Sequence, residues 1–101
     1  MPDNAPLPRF FSVAAPDDAL APATPRGTEF LFVAPPARRP GDGDAVIVEA
    51  ANGGRLVRLF YAGAGDQWEA RARAPEFPTL HSERDGLRLL AVATHRAGGA
   101  G

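Results

Sequence analysis

Proline and glycine interrupt this chain so often that they limit it to short structural elements. The 101 residues include 11 prolines and 11 glycines. Proline breaks helices because it has no N–H and its ring collides with the preceding turn, and both residues favour turns. Residues 15–27 alone contain three prolines, which leave room for at most one helical turn, at residues 17–21. We therefore expect a protein with almost no helix.

The apolar segments between these turns predict six short β-strands. A short continuous apolar run is typical of a buried strand, and strict alternation marks a strand with one exposed face. Asn52 and Gly53 form a tight hairpin signal between two such segments. The predicted strands cover residues 10–13, 29–34, 44–49, 55–61, 67–74 and 87–92.

These strands predict a mostly β fold, a small sandwich or partly open barrel of about six strands. A length of 101 residues with 45% apolar side chains suits one compact domain. We expect an irregular lead-in over residues 1–9, the β domain over residues 10–96 and a flexible tail over residues 97–101.

Composition argues against several classes of protein. Cysteine is absent, which excludes disulfides and thiolate metal sites. The net charge of −1 gives no positive excess to attract nucleic acid. No run of 18 apolar residues predicts a membrane span, and no secretory signal is apparent. We expect a cytoplasmic protein that needs no cofactor and does not contact nucleic acid or membrane directly.

Lysine is also absent, and all 11 basic residues are arginine. An arginine side chain stays charged in proteins. No side chain of this chain can therefore supply a neutral amine near physiological pH.

Four segments, in order, resemble the C-terminal peptidase domain of LexA and related phage repressors. Residues 16–27 resemble the loop Gly-Asp-Ser-Met-x-Pro-x-x-x-x-Gly, and residues 43–48 resemble a second Gly-Asp before a valine-rich strand. Residues 56–59 resemble the Val-Lys-Arg-Leu strand. The closing hairpin and last strand have counterparts in residues 68–80, 90–92 and Arg96. The resemblance implies the coiled β-ribbon fold that this family shares with signal peptidases.

The resemblance also implies where catalytic residues should lie. Family members cleave their own chain with a serine nucleophile and a neutral lysine as base. Here Ala19 falls at the serine position, and Val57 falls at the lysine position, or Arg58 if the register shifts by one. The only serines are Ser12 and Ser82, and the family's Ala-Gly cleavage segment has no clear counterpart. We therefore expect a pseudoenzyme rather than an active peptidase.

The histidines suggest other chemistry only weakly. A hydrolytic triad could combine His81 and His95 with Ser82 or Asp85. A metal site could combine the same two histidines with Glu83 and Asp85. A triad is recognised by geometry rather than nearness in sequence, and no tight histidine spacing supports a metal. We expect surface or edge-strand histidines and no metal.

Acidic and basic residues in turns have simpler interpretations. Asp17, Asp18, Asp42 and Asp44 could pair as acid and base, but aspartates in such turns usually accept backbone N–H groups. Residues 41–44 resemble a calcium loop faintly and lack its further ligands. The arginines expected on solvated faces are Arg38, Arg39, Arg71 and Arg73.

Three hypotheses for function remain. The first is a non-catalytic domain in transcriptional or phage-type regulation that forms homodimers or pairs with a related repressor-type protein. The second keeps the cleft beside Ala19 and Val57 as a peptide groove, since β-strand addition needs no catalytic residue. The third is a hydrolase of another class.

In the family a helix-turn-helix domain precedes this one. We see no counterpart before Phe10, so we expect a fragment of a longer regulator or a stand-alone relative. The candidate interface residues are Trp68, Leu89, Leu90 and Val92.

Overall fold

The computed structural model of the chain describes residues 9–21, 24–34 and 39–96. The expected tail over residues 97–101 lies outside the described residues, as does the expected lead-in apart from Arg9.

Seven antiparallel strands form one open sheet, in the order β1-β2-β7-β3-β4-β5-β6. The mostly β, partly open architecture expected from the sequence is confirmed. No helix long and apolar enough to cross a bilayer occurs among the described residues. The strands are β1 (Phe10–Ala14), β2 (Glu29–Val33), β3 (Ala45–Glu49), β4 (Arg55–Ala62), β5 (Trp68–Arg71), β6 (Leu80–His81) and β7 (Arg88–Arg96).

Three strands differ from the prediction by more than one residue, each for a physical reason, and the other four agree within one residue. β6 was missed because its two residues are too few to show a pattern. β5 ends at Arg71 rather than at residue 74, because the N–H groups of Arg73 and Ala74 donate to the C=O of Ala19 instead of continuing the ladder. β7 continues to Arg96 because its last part pairs with β2.

β7 lies in the middle of the sheet, hydrogen-bonded to β2 on one side and to β3 on the other. Both pairings contain a register shift, between Leu31 and Phe32 in β2 and between Ile47 and Val48 in β3. Such bulges bend a strand and increase its twist. The two irregularities therefore favour a curved sheet.

Both faces of the central strands are buried. Because side chains alternate across a strand, neighbouring residues enter different clusters. This explains the continuous apolar run in β3, where Val46 and Val48 lie in one cluster and Ile47 in the other. The first cluster contains Ala15, Leu20, Phe30, Phe32, Ala34, Ile47, Val57, Leu59 and Ala91. The second contains Val46, Val48, Phe60, Ala70, Leu87 and Val92.

The connection between β1 and β2 attaches to the segment that follows β5. The C=O of Ala19 accepts the N–H groups of Arg73 (2.7 Å) and Ala74 (2.9 Å). This contact joins parts of the molecule that lie toward opposite ends of the strand order. The single turn allowed at residues 17–21 matches a hydrogen bond from the Ala21 N–H to the Asp18 C=O, at 3.0 Å.

The predicted hairpin at Asn52 and Gly53 is confirmed. Gly53 has a φ of 89°, which favours glycine. Its N–H donates to the C=O of Ala50 (2.8 Å), and the N–H of Ala50 donates to the C=O of Gly54 (2.8 Å). The turn thereby joins β3 to β4 in direct antiparallel pairing.

We expect Phe32→Ala to lower the free energy of unfolding by about 3–5 kcal/mol, since truncating a buried phenylalanine leaves a cavity. Phe32 is 0% exposed and packs against the rings of Phe11 and Phe30 at 5.9 Å. Phe10 is 69% exposed, so Phe10→Ala should change the free energy of unfolding by no more than about 0.5 kcal/mol. Urea unfolding in dilute solution measures both, and equal losses would contradict this description of the core.

Candidate functional site

The loop and the strand that the resemblance assigns to catalysis contact each other through an ion pair. Nη1 of Arg58 in β4 lies 3.2 Å from Oδ2 and 3.3 Å from Oδ1 of Asp17, in the loop after β1. These residues are 41 positions apart in the sequence. We call this contact the Asp17–Arg58 junction.

Ala19 and Val57, the two positions matched to the family's dyad, are covered. Ala19 is 0% exposed and Val57 is 3% exposed, the latter within the first cluster. The backbone of Ala19 is also engaged, because its N–H donates to Oδ1 of Asp17 at 3.1 Å and its C=O accepts two N–H groups. Both backbone groups of Ala19 are therefore hydrogen-bonded, and its side chain is only a methyl group.

Arg58 is a buried cation enclosed by three kinds of contact. Its side chain is 5% exposed. Beyond Asp17, Nη1 donates to the C=O of Val57 at 2.9 Å, and Cζ lies 5.3 Å from the centre of the Phe77 ring. A carboxylate, a carbonyl and an aromatic face each stabilise a guanidinium that has left water. Arg58 therefore ties β4 to two loops, one through Asp17 and one through Phe77.

Sequence reasoning found only part of this junction. Arg58 was recognised as the alternative at the lysine position, and Asp17 only as a turn residue. Phe77, between Pro75 and Pro78, carries no sequence signal for a contact with Arg58. The adjacency of Asp17 to the serine-equivalent Ala19 was the one signal that could have indicated the ion pair.

The turn prediction for the aspartates is confirmed. Oδ1 of Asp18 accepts the N–H of Arg26 at 3.1 Å. Oδ1 of Asp42 accepts the N–H of Ala62, and Oδ2 of Asp44 accepts the N–H of Gly41, both at 2.8 Å. With Asp17, all four aspartates bond to backbone N–H groups.

The hydroxyls of the two serines bond to groups other than histidine. Oγ of Ser82 accepts the N–H of Trp68 at 3.0 Å, and Oγ of Ser12 donates to Glu29 at 2.7 Å. His81 lies on edge strand β6 with Nδ1 3.6 Å from Glu69. The side chain of His95 lies outside the described part of the structure.

His81 and Ser82 line an open pocket with Trp68, Glu69 and Glu83. A metal site needs at least three suitably placed ligands, and no such group of acidic and histidine side chains occurs within residues 9–21, 24–34 and 39–96.

The four candidate interface residues lie partly in the core. Trp68 is half-buried and stacks on Phe60, with ring centres 5.6 Å apart. Val92 is buried in the second cluster, and Leu89 and Leu90 are half-buried. Because both backbone edges of β7 are paired, a partner could reach Leu89, Leu90 and Val92 only through side chains. Their role in an interface stays a prediction.

Among the arginines expected on solvated faces, Arg71 is exposed and also makes two close contacts. Arg71 is bound to Glu69, with Nε 2.8 Å from Oε1, and its Cζ lies 4.3 Å from the Tyr61 ring centre. Arg39 and Arg73 are exposed, as predicted, and Arg38 lies outside the described residues.

Comparison with models of known protein families finds no match to this chain, and comparison with curated proteins finds no significant similarity. The resemblance to the LexA-type peptidase domain therefore rests on the four segments of the sequence.

We expect Asp17→Asn to destabilise the fold by about 3 kcal/mol, because it leaves the buried Arg58 cation without its counter-charge. This is the lower end of the range for such pairs, since 22% of the Asp17 side chain is exposed. Asparagine keeps an oxygen to accept the Ala19 N–H, so the variant isolates the charge. Urea unfolding provides the measurement.

Asp18→Asn is the matched control, since this exposed neighbour should change stability by less than about 1 kcal/mol. Adding Arg58→Met to Asp17→Asn should restore part of the loss by removing the unpaired charge. The free energy of unfolding of Arg58→Met alone completes the comparison. If the loss in the double variant equals the sum of the losses in Asp17→Asn and Arg58→Met, the two charges do not interact.

The pKa of the Asp85 carboxyl is lowered, chiefly because it accepts the backbone N–H of His81 at 2.7 Å and also a hydrogen bond from Arg84. The stability that it contributes is therefore present above the unfolded-chain pKa of about 3.9 and is lost as pH falls through the lower folded value. NMR titration of the Asp85 carboxyl in the folded and urea-unfolded chain should give the lower pKa in the folded chain. An equal or higher folded pKa would contradict the assigned hydrogen bonds.

Proposed function

We propose that this chain is a non-catalytic protein-interaction domain, resembling the C-terminal domain of LexA-type repressors, that works by self-association. The observation that carries the proposal is the Asp17–Arg58 junction. An ion pair and a fully covered Ala19 lie where the resemblance implies a nucleophile and its base.

The side chains at this place cannot perform the family's chemistry. A nucleophile needs a lone pair and an adjacent base that can take its proton. The methyl group of Ala19 has no lone pair, and the guanidinium of Arg58 is a permanent donor that cannot accept a proton. Their contacts stabilise the fold instead, which supports a role in binding rather than in cleavage.

The exposed edge of the sheet supports the interaction half of the proposal. β1 is an end strand, and Phe10 on it is a large apolar side chain that is 69% exposed. An exposed apolar ring on an unprotected strand edge is typical of an association site. The partner is a second copy or a related repressor-type protein. A role in transcriptional or phage-type regulation in the cytoplasm rests on the resemblance alone.

The two alternative functions have less support. A peptide groove beside Ala19 and Val57 would require exposed surface at residues that are 0% and 3% exposed. A hydrolase using Ser12 or Ser82 would require hydroxyls that now bond to Glu29 and to the Trp68 backbone to turn toward a base.

Size-exclusion chromatography with light scattering tests self-association. We expect a mass of twice the 10.6 kDa chain at high micromolar concentration, falling toward one chain on dilution. A strict monomer at high micromolar concentration would overturn the self-association half of the proposal.

Intact-mass spectrometry tests the non-catalytic half. The chain should keep its full mass of 10.6 kDa through prolonged incubation at neutral and alkaline pH. A loss of mass in the pure parent chain would show self-cleavage and would contradict this half of the proposal.

A further inference from the structure

β1 carries a row of backbone groups that point away from the sheet. The C=O of Arg9 accepts the N–H of Ala34, and the N–H of Ala15 donates to the C=O of Thr28, so both residues bond toward β2. Backbone groups of an antiparallel strand alternate in direction. Phe11 and Val13 therefore also bond inward, whereas the backbone groups of residues 10, 12 and 14 point outward.

In the part of the chain that the structure describes, this outer edge lacks the usual protection of an edge strand. β1 has the sequence Phe-Phe-Ser-Val-Ala, with no proline, glycine or charged residue. Edges are normally blocked by proline, by charges or by a covering segment. Within the described residues, no strand pairs with this edge, whereas the opposite edge strand, β6, has only two residues.

The outward groups of β1 are complementary to themselves. They belong to three residues centred on Ser12. An antiparallel second copy with Ser12 opposite Ser12 would place Phe10 opposite Ala14 at each end. All three pairs would then be of the hydrogen-bonded kind, in which each residue exchanges both bonds with its partner. A two-fold axis through Ser12 creates this arrangement, and such symmetry is the commonest in soluble dimers.

We propose that two copies of this chain associate by antiparallel pairing of β1 with β1, with Ser12 on the two-fold axis. This inference rests on the proposed self-association and names its interface. The two sheets become one, and the three outward residues of each copy make six hydrogen bonds across the axis.

The side chains beside this edge fit a second copy. The exposed Phe10 ring lies against the small Ala14 of the other chain, which leaves room for it. The residue on the axis, Ser12, is also small and exposed, so no bulky side chain obstructs the pairing. An unrelated peptide would share the backbone bonds without this complementarity.

Ser12→Cys tests the register, because the chain has no other cysteine. Residues of a hydrogen-bonded antiparallel pair have Cα atoms about 5.5 Å apart, within the range that a disulfide spans. We expect mild oxidation to convert this variant to a covalent dimer that is visible by non-reducing electrophoresis.

Ala14→Cys is the matched control, on the same strand and the same exposed face. In the proposed register its two copies lie four residues apart along the strands, about 14 Å, which is too far for a disulfide. This variant should stay unlinked alone and should link when mixed with Phe10→Cys. Equal linking of the Ser12 and Ala14 variants would overturn the register.

Ser12→Pro provides a non-covalent test. Proline is tolerated on an edge strand where the N–H faces away from the sheet, so the domain should fold and lose its dimer. Ser12→Thr should keep the dimer. If light scattering shows a dimer but Ser12→Cys does not link, the β1 interface is wrong and self-association stands. If the parent chain is monomeric, both proposals fail.

Discussion

The pairing of β7 on both sides is the constraint on which the rest of the sheet depends. β7 hydrogen-bonds to β2 and to β3, so the last strand of the chain joins the N-terminal hairpin to the β3–β4 hairpin. Without it no backbone ladder would join the two hairpins, and isolated hairpins are at best marginally stable in water. Both faces of β3 are buried, with Val46 and Val48 in one cluster and Ile47 in the other.

The loop after β1 is the second element that the fold depends on. Its Ala19 C=O holds the segment after β5, and its Asp17 holds the buried Arg58 of β4. A buried guanidinium is costly unless paired, so this loop position tolerates little change. The same place in the resembling family would carry a nucleophile, which must stay accessible. Here the place has a structural role, and the binding surface that we propose lies at β1.

Much of the fold could be predicted because its signals are local. The β-branched run of β3, the Asn52 and Gly53 turn and the alternation around Trp68 each reflect the period of a strand or the geometry of a turn. β6 could not be predicted, since two residues show no period. The end of β5 depended on the C=O of Ala19, which is distant in sequence.

The sequence by itself determined what the chain lacks and where six of the seven described strands form. The absence of lysine and the alanine at position 19 are facts of composition and order, and they need no coordinates. Only the tertiary structure decided the pairing of Asp17 with Arg58, the central place of β7 and the outward direction of the Ser12 backbone. Each of these depends on which distant segments meet, because hydrogen bonding and burial act through space, whereas sequence patterns report only neighbours along the chain.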